Sequence, residues 1–139
     1  MSTILIIDDE IVLILMLKKI LSMANHNIIT ANSGSSALTS LAKNRVDMVI
    51  TDLMMPEMDG LALLRDIRAD KNSKDLPVIV LTGVGAKDLR DQARQLGANA
   101  ILTKPIGSQE LLQVVDELLA KSTPASEQEQ PKPRLGWIW

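Results

Sequence analysis

Short aliphatic runs alternate along the chain with longer segments in which apolar residues recur at every third or fourth position. The short runs predict buried strands at residues 3–7, 27–30, 46–51, 77–81 and 99–102. The longer segments predict helices over residues 10–24, after Ser33, after Gly60, over residues 86–96 and over residues 108–120. This alternation is typical of repeated βαβ units, and therefore of a parallel sheet.

Right-handed crossovers with helices on both faces lead to one architecture. We predict an α/β, flavodoxin-like, doubly wound fold with a five-stranded parallel sheet in the order 2-1-3-4-5 and five helices. The helical pattern stops near Lys121, and Pro, Ser, Glu and Gln dominate the residues that follow. We therefore predict a folded domain over residues 1–121 and a polar tail over residues 122–139 that ends in a Trp-containing apolar segment.

Four of the predicted strands end on polar residues. The first strand runs into Asp8-Asp9, the third into Asp52, the fourth into Thr82 and the fifth into Lys104-Pro105. Because the carboxyl ends of parallel strands meet at one edge of the sheet, these side chains are expected to converge there. Strands one and three flank the point where the strand order reverses, which would bring the carboxylates together.

Composition narrows the range of partners. The 15 basic and 17 acidic residues give a net charge of -2, which argues against a nucleic-acid partner. With no cysteine in the chain, disulfides and thiolate metal sites are excluded. The longest apolar run, from Ile11 to Leu17, is too short to cross a bilayer, so we expect no membrane insertion and a cytoplasmic location.

Three carboxylates in one crevice repel one another unless a cation is present. Mg²⁺ suits such a site, because it takes carboxylate, water and phosphate oxygens as ligands. An aspartate can also act as a nucleophile toward phosphorus. Together with a lysine and a hydroxyl that would contact phosphoryl oxygens, the residue types predict phosphoryl transfer to Asp52.

The polar residues at the strand ends occur in a specific order and spacing: the Asp8-Asp9 pair, the segment from Thr51 through Asp52 to Gly60, Thr82 and Lys104-Pro105. This pattern resembles the response-regulator receiver domain of two-component signalling. The resemblance covers residues 3 to about 120. It implies a stand-alone phosphoacceptor rather than an enzyme, with at most self-catalysed phosphorylation and dephosphorylation.

The resemblance also assigns roles to residues. Asp52 would receive phosphate from a histidine of a sensor kinase or of a histidine phosphotransfer protein. Asp9 would bind Mg²⁺ directly, Asp8 mainly through water, and Asp52 and the backbone carbonyl of Met54 would complete the protein ligands. Thr82 and Lys104 would contact the phosphoryl group, and the peptide before Pro105 is commonly cis in the family.

The chain departs from the family pattern at positions that bear on output and on dephosphorylation. Where the family usually has Tyr or Phe, three residues before Lys104, this chain has Ile101, so the usual aromatic switch is missing. Met54 and Val84 occupy positions that influence dephosphorylation in the family. Since neither apolar side chain can orient an attacking water, we predict slow loss of phosphate.

Two apolar segments have competing interpretations. Residues 11–17 are apolar all round a helix, so they are either covered by neighbouring elements or form a docking face for a helical phosphodonor. The Trp137-Ile138-Trp139 end is a cloning remnant, a disordered tail or a segment that docks on its own domain or on another chain, and we favour docking. A homodimer through the tail or the first helix is a further hypothesis.

The output is expected to be contact with a downstream protein that the sequence does not identify, or phosphate relay, because the tail has no room for a DNA-binding domain. A dehalogenase-like phosphatase is the main alternative, but it would need a second acid two residues after Asp52, where Met54 stands. A non-catalytic flavodoxin-like binding module is another alternative. For that module, the chain lacks a phosphate-binding Gly loop and aromatic stacking groups.

Overall fold

The computed structural model describes residues 2–55, 58–83 and 85–121, with the backbone alone at Met58. Its strands are β1 (Thr3–Ile7), β2 (Asn27–Ala31), β3 (Met48–Asp52), β4 (Met54–Met55), β5 (Met58–Asp59), β6 (Val78–Thr82) and β7 (Ala100–Thr103). Its helices are α1 (Ile11–Met23), α2 (Gly34–Lys43), α3 (Gly60–Ala69), α4 (Lys87–Gln95) and α5 (Ser108–Lys121).

Five strands form one parallel sheet in the order β2-β1-β3-β6-β7. Counted along the chain, these strands lie in the order 2-1-3-4-5, so the predicted fold and topology are confirmed. Strand β1 pairs with β3 so that Ile7 lies opposite Thr51, and β6 pairs with β7 so that Thr82 lies opposite Thr103. All polar residues that follow these strands therefore lie at one edge.

Both faces of the sheet are covered, which explains why β3 and β6 are buried at every position and mostly apolar. On one face, residues such as Ile4 and Ile6 pack against Leu17 and Leu21 of α1 and against α5. On the other face, alternate strand residues pack against α2, α3 and α4. Each strand thus divides its side chains between two cores, as the period of two along a strand requires.

Helix ends follow local capping chemistry where polar side chains are at hand. Ser33 forms a capping box with Ser36 at the start of α2, and the Asp59 carboxylate accepts from the Leu61 N–H at the start of α3. Glu10 precedes α1, but its side chain makes no capping bond. This carboxylate is used elsewhere, in the site described below.

Arg68, near the end of α3, ties three segments together at the amino edge of the sheet. Its guanidinium donates to the Gly97 carbonyl at 2.7 Å, to the Leu76 carbonyl at 2.7 Å and to Asn99 Oδ1 at 2.9 Å. Burial lowers the pKa of Arg68, but these oxygens keep its donors satisfied. Gly97 has φ +100°, and a Cβ there would lie 2.9 Å from Arg68 Nε, so a glycine is required at this position.

The sequence analysis predicted no strand between β3 and α3, and the structure corrects this. Residues Met54–Met55 and Met58–Asp59 form a short antiparallel hairpin. Two-residue strands carry too little periodic pattern to be recognised from sequence. Among the described residues, no helix is long and apolar enough to cross a membrane. Val84 and the tail over residues 122–139 lie outside the described residues, so the predictions made for them stay predictions.

Candidate functional site

The carboxyl edge of the sheet brings Asp8 next to Asp52, because each follows or ends one of the paired strands β1 and β3. Both side chains are buried: Asp8 is 0% exposed and Asp52 is 6% exposed. Lys104 approaches from the residue after β7, where its N–H donates to the Thr82 carbonyl at 2.8 Å. Asp8 and Asp52, which lie 96 and 52 residues before Lys104 in the sequence, thus meet it in one crevice.

Lys104 is the centre of this cluster. Its Nζ lies 2.9 Å from Asp52 Oδ2, 2.9 Å from Glu10 Oε1 and 3.5 Å from Asp8 Oδ2. Burial alone would lower the pKa of Lys104, but hydrogen bonds to Asp52 and Glu10 outweigh burial and raise that pKa above its ordinary value. The ammonium is therefore charged at neutral pH and partly neutralises the three carboxylates.

One ammonium does not balance three carboxylates. Burial raises the pKa of Asp8 above its ordinary value, although the Glu10 N–H donated to Asp8 Oδ1 at 2.9 Å and the charge of Lys104 act in the opposite direction. The negative charge of Asp52 raises the pKa of Asp8 further. The cluster therefore holds excess negative charge in a desolvated place, which favours binding of a cation.

The donor set fits a hard divalent ion. One oxygen from each of Asp8, Glu10 and Asp52 lies within 4.8 Å of the other two. Carboxylate oxygens at this spacing suit Mg²⁺, which usually takes one or two carboxylates and keeps several waters. Asp8 and Asp52, predicted as metal residues from the sequence, are thus brought together by the fold.

Asp9 and Glu10 follow Asp8 in the sequence but differ in their position relative to the cluster. Asp9 is exposed and lies outside the group of three carboxylates, so its direct role at the metal stays a prediction. Glu10 was not predicted as a site residue, yet it contacts Lys104. The available signal was its position as a carboxylate two residues after Asp8 and immediately before α1.

The loop after Asp52 is held close to α3. The Met54 N–H donates to Asp52 Oδ1 at 3.1 Å, and the Gly60 N–H donates to the Leu53 carbonyl at 3.1 Å. A Cβ on Gly60 would lie 2.5 Å from Leu53 Cα and 2.9 Å from the Asp52 carbonyl oxygen. Glycine is therefore needed at this position for the backbone to pass behind Asp52.

Thr82 ends β6 at the same edge and is buried. Its Oγ1 donates to the Gly83 carbonyl at 2.8 Å, which turns the hydroxyl toward its own loop. Lys104-Pro105 is a cis peptide, as the resemblance implied. Ile101 is partly buried against the core beneath α3 and α4, so an aliphatic side chain fills the position where the family usually has an aromatic one.

An exposed apolar surface lies beside the cluster, on α1. Val12 is 81% exposed, and Ile11, Leu15 and Met16 are also exposed large apolar residues. Neighbouring elements therefore do not cover this part of the helix, contrary to the interpretation in which they cover residues 11–17.

The sequence matches the family model of the response regulator receiver domain over residues 4–116. It is 37% identical over 124 residues to the transcriptional regulatory protein GlrR of Escherichia coli (strain K12), covering 89% of this chain and 28% of that protein. It is 35% identical over 131 residues to the transcriptional regulatory protein KdpE of Mycobacterium tuberculosis (strain ATCC 25618 / H37Rv), covering 94% of this chain and 57% of that protein. The chain thus spans less than two thirds of the length of these curated relatives.

Two solved structures of response regulators are similar to this chain over nearly their whole length. A putative response regulator from Chloroflexus aurantiacus J-10-fl is 35% identical, with a TM-score of 0.82 over 86% of this chain and 98% of that one. The chemotaxis response regulator CheY4 of Vibrio cholerae is 29% identical, with a TM-score of 0.80 over 86% of this chain and 99% of that one. These matches give no support to a phosphatase or a flavodoxin-like binding module. Because the family match runs from β1 to α5 and includes the whole carboxylate and lysine cluster, the chain belongs to the response regulator receiver domain family.

Proposed function

We propose that this receiver domain accepts a phosphoryl group on Asp52 from a phosphohistidine and passes the signal on through contacts with another protein or through phosphate relay. The observation that carries the proposal is the 2.9 Å contact between Lys104 Nζ and Asp52 Oδ2, in a crevice where both residues are at least partly buried. A buried carboxylate paired with an ammonium is suited to becoming a charged acyl phosphate.

The reaction is a transfer between two side chains. The bond between phosphorus and the donor imidazole nitrogen breaks, a bond forms between phosphorus and an Asp52 carboxylate oxygen, and the imidazole keeps the electron pair of the broken bond. The Met54 N–H orients the carboxylate through Asp52 Oδ1. Lys104 Nζ, which already contacts Asp52, would donate to an oxygen of the new phosphoryl group. Thr82 would donate to another of these oxygens after its hydroxyl leaves the Gly83 carbonyl.

Mg²⁺ would be held by Asp8 and Asp52, with Asp9, the Met54 carbonyl or Glu10 as further ligands. When bound, it supplies neutralisation of the carboxylate and phosphoryl charges. The fit rests on the three carboxylates within 4.8 Å of one another and on the single ammonium among them. A cytoplasmic location, where histidine phosphodonors are at hand, is part of the same proposal.

The exposed apolar face of α1 is proposed as the docking surface for the helical phosphodonor. This face begins at Ile11, three residues after Asp8, so a donor that packs on it stands next to the cluster. Exposed apolar surface of this kind is characteristic of protein interaction sites.

Acetyl phosphate tests the chemistry without any protein donor. After incubation with acetyl phosphate and Mg²⁺, intact-mass measurement should find one added phosphoryl group on the wild type and none on Asp52→Ala. Asp66→Ala removes an exposed aspartate elsewhere on the domain and should be labelled like the wild type. Absence of label on the wild type, or equal label on Asp52→Ala, would overturn the proposal.

Docking is tested by comparing a small donor with a protein donor. Val12→Glu should slow transfer from a phosphorylated histidine phosphotransfer domain that labels the wild type, while leaving acetyl phosphate labelling unchanged. Leu38→Glu, at an exposed apolar residue of α2, is the matched control and should leave both rates unchanged. Equal transfer to Val12→Glu and to the wild type would refute docking on α1.

A further inference from the structure

We propose that the apolar end of this chain, Leu135-Gly136-Trp137-Ile138-Trp139, docks into a groove of its own domain at the amino edge of the sheet, opposite the carboxylate cluster. This inference is independent of the proposed function. It assigns an occupant to the groove and gives a role to the only two aromatic residues of the chain.

The groove has the size and lining that a small apolar segment needs. Its volume is about 1170 Å³. The lining combines polar and charged side chains with five leucines, which are Leu38 and Leu41 of α2, Leu76 before β6, and Leu118 and Leu119 of α5. Leu38 is 39% exposed, so part of its side chain is open to an occupant of the groove. Two indoles, which each bury about 150–250 Å² when packed, would cover this apolar surface.

The connection to the groove is direct. Helix α5 ends at Lys121, which itself lines the groove, so the tail leaves from the groove's rim. The thirteen residues from 122 to 134 separate this rim from Leu135. Fully extended, they would span roughly 40 Å, which is ample for the chain to turn back onto the surface from which it departs.

Charge favours the same placement. Three aspartates, Asp66, Asp70 and Asp75, stand together along the α3 side of the groove. Lys132 and Arg134 are the only basic residues of the tail and immediately precede the apolar end. The groove also contains the cations Arg45, Lys71 and Lys121, but with Asp47 the carboxylates outnumber them.

The other exposed apolar surface is a poorer match. On α1, the apolar residues are followed by Lys18 and Lys19, both exposed, which would repel Lys132 and Arg134. The groove, in contrast, lies between α2, α3 and α5 and has room for an indole ring.

Tryptophan fluorescence of the full chain tests the proposal, because both tryptophans lie in the docking segment and no other aromatic residue contributes. We expect blue-shifted emission that is protected from acrylamide, compared with the same chain unfolded in urea. Leu38→Lys in the groove and Arg134→Glu in the tail should each shift the emission to the red and remove the protection. Val12→Lys on α1 is the control and should leave the emission unchanged.

Arg134→Glu lies outside the folded domain, so its result does not depend on whether a groove variant folds. Recovery of the blue-shifted emission when Arg134→Glu is combined with Asp70→Lys would support the assigned contact. Wild-type emission equal to that of the unfolded chain would overturn the proposal. A red shift caused by Val12→Lys instead of Leu38→Lys, or emission that depends on protein concentration, would also overturn it, since the occupant or the surface would then be a different one.

Discussion

Replacing Asp8 by Asn should stabilise the protein in the absence of divalent cations. Asp8 is fully buried, and it shares Lys104 with two other carboxylates. The asparagine keeps an oxygen that can accept from the Glu10 N–H, so the local backbone contact survives. Lys104 keeps Asp52 and Glu10 as partners at 2.9 Å, so the substitution leaves no buried ammonium unpaired.

The size of the effect follows from the distances. With an effective dielectric constant of about 20, attraction between Asp8 and Lys104 at 3.5 Å is roughly 4.7 kcal/mol. The Asp8 and Asp52 oxygens lie within 4.8 Å of each other, so their repulsion is at least about 3.5 kcal/mol. Glu10 adds a further, solvent-screened repulsion. These charge interactions nearly cancel, so the desolvation of the Asp8 carboxylate is left uncompensated. We expect Asp8→Asn to raise the free energy of unfolding by about 1–2 kcal/mol, or the melting temperature by roughly 4–8 °C.

The gain should depend on pH in one direction. Below the ordinary Asp pKa of 3.8, Asp8 is protonated in both the folded and the unfolded chain, and the variant has no advantage. As pH rises from 3.8 through the raised pKa of the folded state, the unfolded chain releases its proton first, and the wild type loses stability. The advantage of Asp8→Asn therefore grows across this window and is constant above it.

Urea unfolding in EDTA and in excess Mg²⁺ is the assay. Mg²⁺ at a hundred times its dissociation constant would stabilise the wild type by about 2.7 kcal/mol, and Asp8→Asn should lose most of this increment. Asp9→Asn is the matched control: its side chain is exposed, so stability in EDTA should not change. If Asp8→Asn is no more stable than the wild type in EDTA at neutral pH, the account of the cluster as a source of instability is refuted.

Three further predictions concern other parts of the domain. Gly60→Ala would place a Cβ 2.5 Å from a backbone atom and should lower the free energy of unfolding in urea by about 1–3 kcal/mol. Gly83→Ala is the control, because a Cβ there meets nothing within 4 Å, and it should leave stability unchanged. Equal effects of the two substitutions would contradict this packing. Arg68→Lys should lower stability by about 2–4 kcal/mol, because an ammonium cannot reach all the oxygens that the guanidinium bridges, and an unchanged urea midpoint would refute that. Met54 is 67% exposed, and its apolar side chain cannot orient an attacking water. The phosphorylated wild type should therefore lose phosphate slowly, and Met54→Asn should lose it faster. Intact-mass measurement over time checks this, and a wild-type phosphate half-life of seconds would contradict it.

The fold was largely predictable because its signals are local and repeated. The central strands are apolar at both alternate sets of positions, and capping residues such as Ser33 mark where the next helix begins. Strand β3 nevertheless begins two residues later than predicted, at Met48, although the Asp47 N–H just before it already donates to the Thr3 carbonyl of β1 at 2.8 Å. The role of Arg68 was not predictable, because its partners are carbonyl oxygens brought near only by the tertiary fold.

The candidate site was predictable to the extent that strand ends determine it. Asp8, Asp52, Thr82 and Lys104 follow or end strands whose order was predicted correctly, and parallel pairing alone brings them to one edge. The direction in which a side chain turns after the strand is not encoded in that pattern. Glu10 contacts Lys104, although neither its position before α1 nor its residue type specifies this contact.

The same electrostatic imbalance that limits stability at this edge is the source of its affinity for a cation and a phosphoryl group. A domain selected only for stability would remove a buried carboxylate such as Asp8, because one ammonium already satisfies the rest. Binding of Mg²⁺ would replace repulsion by attraction among groups that are already positioned, so little reorganisation opposes it. Stability that is lost at the carboxyl edge must then be supplied elsewhere. The Arg68 contacts at the amino edge, which lie at the opposite ends of the same strands, are one place where the structure supplies it.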